Sequence, residues 1–239
     1  MAKLEKILLD LIIHPRKSFN SLSLSLLKTP FVASIVTTQF HKLYYRNEER
    51  TWGNTRWMGT KVLKCPLDLW IYQEIMHEVQ PDVLIECGTA SGGGTHFYAS
   101  MMDLLGKGKV ISIDINSYEK PQHDRITYLT GSSTAPEMLQ TIKAAIKPTD
   151  TVMVVLDSDH SKAHVLEELR LYSPLVTKNS YLAVEDSNQN GHPVSPFSGP
   201  GPMEAIQEFL GTTRSFIIDQ SREKFYLSFN PCGYLKKIA

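Results

Sequence analysis

Cysteine is scarce in this chain: Cys65, Cys87 and Cys232 are scattered through 239 residues with no CxxC pair. That excludes a disulfide framework and a cysteine zinc centre, and it predicts a reducing compartment, the cytoplasm. Net charge is also missing. Lys plus Arg and Asp plus Glu are both 25, and no basic block stands out, so nucleic acid is not an expected partner. Long apolar runs are absent too. The N-terminal stretch KILLDLIIH is broken by Asp10 and closed by His14-Pro15-Arg16, too short for a bilayer span and without a small-residue cleavage site. Neither a transmembrane helix nor a secretion signal is expected. Finally, the G-x-G-x-x-G spacing of a pyrophosphate-binding dinucleotide site does not occur in the chain's main glycine loop.

What is present suits one compact globular domain with a terminal extension: 42% of residues are hydrophobic and 21% charged. Residues 1–50 alternate short apolar groups with Ser, Thr and Pro, the pattern of small helices without a core of their own. They read as a helical arm for packing or dimerisation, which predicts a homo-oligomer, with a substrate lid or a membrane-surface element as the alternatives. Residues 51–239 read as the main domain. From Pro66, PLDLWIYQEIMHEV has helical spacing, with Pro81 just beyond its end. Five short apolar runs follow, DVLIECG, KVISIDI, RITYLT, TVMVVLD and SYLAVED, separated by segments of helical length. This is the form of an α/β chain with a mostly parallel sheet and helices on both faces. SFIIDQ, KFYLSF and GYLKKIA then predict an antiparallel C-terminal ending.

Two features sit where the strands end. In ECGTASGGGTHFYASMM, Gly88 and Gly92 to Gly94 mark a strand-to-helix turn, where backbone N–H groups can meet an anionic or polar ligand. Glu86 adds a polar group at that strand end. The next strand closes on Asp114, 26 residues after Gly88, where a carboxylate can accept ribose hydroxyls; the pair predicts a ribose-bearing cofactor. Further on, Asp157 and Glu185-Asp186 close two more strands. If those strands are neighbours, the acids converge without Lys or Arg in the same segments. Carboxylates so placed repel unless a hard divalent cation, Mg²⁺, Mn²⁺ or Ca²⁺, holds them. His160 and His164 share a helix face and, with Asp159, could imitate a two-histidine, one-carboxylate iron site. In the alternative reading His160 is a base or substrate contact beside the acids, and His164 is a satisfied or surface histidine. The Gly-Pro-Ser loop around His192 can wall a substrate pocket.

These stretches, together with FHKLYYRN, WMGTKVLKCPLDLWIYQEI, LIECGTASGGG, VLDSDHSKAHVLEEL, YLAVEDSNQNGHPV and GPGPMEAI, resemble the cephalosporin hydroxylase-like proteins, especially bacterial rhamnosyl O-methyltransferases. The resemblance covers roughly residues 40–239. It implies a Rossmann-like class I methyltransferase fold, S-adenosylmethionine and Mg²⁺ (or Mn²⁺) as cofactors, and transfer of a methyl group to a hydroxyl of a small glycoside. By position, the loop from Glu86 through Gly88 and Thr89 to Ser91 would hold the methionine and ribose portions, and Asp114 the ribose hydroxyls. Gly131, Ser132 and Ser133 would border the adenine, with Asp157 at the edge of the cofactor. Asp157, Glu185 and Asp186 would be the metal triad, and Asp159 or His160 the base. Three other readings stay open: an iron-dependent hydroxylase, a metal-dependent hydrolase, and an inactive scaffold that binds the cofactor.

Overall fold

The computed structural model describes residues 27–239. It divides into two units, Met1–Leu43 and Tyr44–Ala239. Helix α1 (Pro30–Arg46) is a single helix of 17 residues; residues 1–26 of the expected arm lie outside the described residues.

In the larger unit a two-stranded ribbon, β1 (Arg56–Trp57) and β2 (Thr60–Lys61), precedes α2 (Pro66–Val79). Pro66 opens that helix, where a missing N–H costs nothing, and Gln80 closes it in the left-handed conformation. Then come β3 (Val83–Cys87), α3 (Gly93–Leu105), β4 (Lys109–Asp114), β5 (Ile126–Thr130), α4 (Pro136–Ala144), β6 (Val152–Leu156), α5 (Lys162–Tyr172), β7 (Tyr181–Val184), α6 (Pro202–Thr212), β8 (Phe216–Ile218) and β9 (Tyr234–Lys237). The seven later strands form one sheet in the order β5-β4-β3-β6-β7-β9-β8. The first five run parallel, and β9 lies antiparallel to both its neighbours.

The continuous apolar runs are explained by two cores, one on each face of the sheet. Alternate residues of each central strand go opposite ways, as a period of two requires. Val83, Ile85 and Val154 join Ile142, Leu169 and Phe209 from α4, α5 and α6. Leu84, Met153 and Val155 join Ile75, Tyr98 and Met102 from α2 and α3. KFYLSF, expected as a strand, is not one. Leu227 and Phe229 instead pack with Cys65 against Tyr44, Tyr45 and Trp52, and the Phe229 N–H is taken by Asp68 Oδ2 at 2.8 Å. A side-chain acceptor replaces the sheet ladder there.

Among the described residues no helix is long and apolar enough to cross a membrane.

Candidate active site

Strand order reverses between β3 and β6: the chain runs outward through β4 and β5 on one side, and through β7 on the other. Loops leaving such a switch point diverge and open a crevice at the carboxyl ends of the strands. A cavity of about 630 Å³ occupies it, lined at one end by Gly88, Asp114, Gly131 and Ser133 and at the other by Asp157, His160 and Asp186.

At the first end the loops lock together. Gly88 has φ +98°, and a Cβ there would overlap the Asp157 carbonyl, so only glycine allows the β3 and β6 exits to touch. Asp114 ties β4 to the same loop: its Oδ2 accepts the Ala90 N–H and its Oδ1 the Asn116 N–H, both at 2.8 Å. Of the other expected contacts, Glu86 and Thr89 are buried, and Ser91 and Ser132 are half-buried. Glu86, Thr89, Ser91 and Ser132 do not line the cavity. Glu86 is buried because Thr95 and Ser112 donate to its Oε2, Ser112 at 2.7 Å. Withdrawal from water raises its pKa to about 7, with Lys64 opposing the shift. Thr89 is held at 2.6 Å from the Ser112 hydroxyl. Glu86 and Thr89 thereby brace the loop. Gly94 serves packing as well, since a Cβ there would lie 2.7 Å from Lys64 Cε.

At the second end the acids do converge, but a cation is already built in. Lys64, 3% exposed, donates to Asp157 Oδ2 at 2.5 Å and Glu185 Oε1 at 3.0 Å. The same Glu185 oxygen takes the Tyr72 hydroxyl at 2.6 Å. Consecutive residues leaving β7 point to opposite sides: Glu185 turns into the core, while Asp186, at φ +57°, faces the cavity. Of the expected metal triad Asp157, Glu185 and Asp186, the first and last line the cavity, and Glu185 is turned toward Lys64 and Tyr72. Among the described residues, Asp157, His160 and Asp186 are the group whose ligand atoms all lie within 4.8 Å of one another, and Glu185 could reach an ion there only with Oε2. The Asp157 and Asp186 oxygens fit a divalent cation such as Mg²⁺ or Mn²⁺, and His160 stands beside them. Burial raises the pKa of Asp157, against Lys64, and that of Asp186, against His160. Gln189 Nε2 steadies Asp186 at 3.1 Å.

The candidate bases differ. Asp159 is exposed, and its Oδ1 accepts the Ser161 N–H at 2.7 Å; hydrogen bonds from Ser161 hold its pKa below the usual carboxylate range, which makes it a weak proton acceptor. His160 Nε2 lies 3.3 Å from Asp186 Oδ2. His164 turns away, with Nε2 at 3.3 Å from both Ser133 Oγ and Glu168 Oε1, so His160, His164 and an acid do not form one iron-binding set. His192 binds Glu204 Oε1 at 2.9 Å, which fastens its loop to α6; Asp186 and Gln189, rather than His192, reach the cavity.

Lys64 and Glu168 escape a reading made segment by segment. Lys64 comes from before α2, far in sequence from the acids it neutralises. Glu168 is fully buried and joins two loops of the site, accepting Ser133 Oγ at 2.5 Å and Ser158 Oγ at 2.7 Å. An acid at a core-facing helical position was the available signal.

The profile of the family described as Rhamnosyl O-methyltransferase/CmcI matches residues 49–238. The chain belongs to that family. Two curated members are the rhamnosyl O-methyltransferases of Mycobacterium leprae (strain TN), 40% identical over 210 residues covering 84% of this chain and 90% of that protein, and of Mycobacterium tuberculosis (strain H37Rv), 40% identical over 211 residues covering 84% of each. Among solved structures, a CmcI form holding Mg and SAM superposes with a TM-score of 0.61 at 20% identity, covering 77% of each chain. At that identity the likeness establishes the fold, and the family establishes the enzyme class: an S-adenosylmethionine-dependent O-methyltransferase.

Proposed function

We propose that this enzyme transfers the methyl group of S-adenosylmethionine to a hydroxyl of a sugar-bearing small molecule, with a divalent cation at Asp157 and Asp186. The observation that carries the reading is the single cavity: a ribose-accepting end at Asp114 and an acid-lined end at Asp157, His160 and Asp186 share one chamber. The sugar comes from the rhamnosyl O-methyltransferases to which the chain is 40% identical.

When bound, S-adenosylmethionine supplies the methyl group and Mg²⁺ the charge that acidifies an acceptor hydroxyl. The protein does the rest. Asp114, fixed by the Ala90 and Asn116 N–H groups, keeps lone pairs free for two ribose hydroxyls. Lys64 holds Asp157 in place, so that the carboxylates keep their positions between turnovers. His160 takes the hydroxyl proton at Nε2, and the Asp186 carboxylate 3.3 Å away stabilises the imidazolium that results. Its position favours it over Asp159, which is engaged with Ser161.

Calorimetry tests the cofactor assignment. S-adenosylmethionine and its demethylated product should bind and NAD should not, and Asp114→Ala should weaken both by about tenfold or more, the loss of a charged hydrogen bond. Preference for NAD, or full affinity in Asp114→Ala, would sink the assignment.

A further inference from the structure

We infer that Trp52 and Tyr45 form the platform on which the ring of the methyl acceptor stacks, opposite the acids. The inference rests on the functional reading above and names the part of the site that reading leaves undefined: what holds the acceptor's carbon skeleton.

The cavity wall is otherwise built from loops at the sheet edge, but Tyr45, Trp52 and Leu63 line it from outside the sheet. The two rings stack, with centroids 5.4 Å apart and planes at 27°. Neither is free to swing. Phe229 meets Tyr45 edge-on at 5.4 Å and Trp52 at 5.8 Å, and the Trp52 indole N–H donates to the Tyr45 carbonyl at 3.0 Å. Thr51 Oγ1 pins the same turn to the Tyr44 carbonyl at 2.7 Å. Because its N–H is consumed inside the protein, Trp52 offers a ligand only ring surface, and both rings remain partly exposed. Tyr45 and Trp52 line the same cavity as Asp157, His160 and Asp186, so the platform and the acids face one chamber. Leu63, 41% exposed, extends the apolar wall; its neighbours Val62 and Lys64 point inward.

A rigid aromatic face set beside hydroxyl-seeking carboxylates matches one chemical shape, a ring with an apolar face and neighbouring hydroxyls on its edge. A pyranose has it: the C–H bonds of one face lie on the rings while the hydroxyls reach Asp157 and Asp186. A catechol shares the description, so the two sources are separated by experiment.

The test measures binding of p-nitrophenyl α-L-rhamnoside and of catechol by calorimetry, with S-adenosylhomocysteine and Mg²⁺ present, in the wild type, Trp52→Ala and Trp52→Phe. Trp52→Ala should weaken the rhamnoside roughly tenfold or more, Trp52→Phe should recover most of it, and S-adenosylhomocysteine affinity should not change. Catechol should bind the wild type more weakly than the rhamnoside. The inference is overturned if the wild type does not bind the glycoside, if catechol binds more tightly, if Trp52→Ala leaves glycoside affinity unchanged, or if cofactor affinity falls equally. Glycoside binding that depends on Trp52 without any methyl transfer would keep the platform and remove the functional reading.

Discussion

Lys64 lets Asp157 and Glu185 share one spot with the Tyr72 hydroxyl. Without it, Asp157 and Glu185 would face each other with their charges unneutralised, and breaking a buried ion pair costs about 3 to 5 kcal/mol. Lys64→Met should therefore lose that much stability in EDTA by urea denaturation, and Mg²⁺ should return part of it by binding Asp157 directly. A variant within about 1 kcal/mol of the wild type in EDTA would mean that the acids are protonated and need no partner. The second residue-level claim concerns the proton. His160→Ala should lower kcat by roughly 10² to 10⁴, the usual value of a general base, with S-adenosylmethionine affinity retained. Asp159→Asn should stay within about tenfold of wild type, because its carboxylate already serves the Ser161 N–H. Reversal of those two effects would move the base to Asp159.

The two halves of the site are joined where β3 and β6 leave the sheet, and Gly88 is the point of contact. Gly88→Ala introduces a side chain at φ +98° with the Asp157 carbonyl in its way, so a loss of at least about 2 kcal/mol is expected, with weaker cofactor binding in whatever folds. Unchanged melting and cofactor affinity would show that the two loops can separate freely. The strands themselves were legible in the sequence, since VMVVL is apolar throughout, VLIEC and KVISID are mostly so, and all are bounded by turns, the pattern that burial on both faces favours. Asp114, Asp157 and Asp186 were legible for a related reason: an acid that ends an apolar strand has few purely structural explanations. The inward turn of Glu185 was not. It depends on Lys64 and Tyr72, which lie 121 and 113 residues away in sequence, and no local pattern carries a contact of that range. KFYLSF misled for the converse reason, since its apolar residues serve an aromatic cluster rather than a sheet.

Folding as a whole carries a pH signature from these buried acids. Burial, and then the charge of Glu185, raises Asp68 to about 7, although its oxygens accept the Phe229 N–H and the Tyr234 hydroxyl at 2.8 Å each. Between the ordinary carboxylate pKa and 7, the native protein holds a proton that the unfolded chain has released, so stability falls as pH rises through that window, by up to about 1.4 kcal/mol per pH unit for each such group. Glu86 acts with the same sign. His41, lowered to about 4 by burial, acts oppositely, so the comparison must be between variants: denaturation from pH 4.5 to 7 should show a flatter decline in Asp68→Asn than in the wild type, and identical slopes would place Asp68 in its charged form throughout. The cavity carries the larger claim, that one chamber brings a sulfonium methyl group to a hydroxyl prepared by Asp157, Asp186 and His160. The most direct measurement is transfer of labelled methyl from S-adenosylmethionine to p-nitrophenyl α-L-rhamnoside, followed in EDTA, in Mg²⁺, and in Asp157→Asn with Mg²⁺. The predicted result is label on the sugar in Mg²⁺ alone, none in EDTA and none in the variant; labelling that persists after chelation and in Asp157→Asn would contradict it.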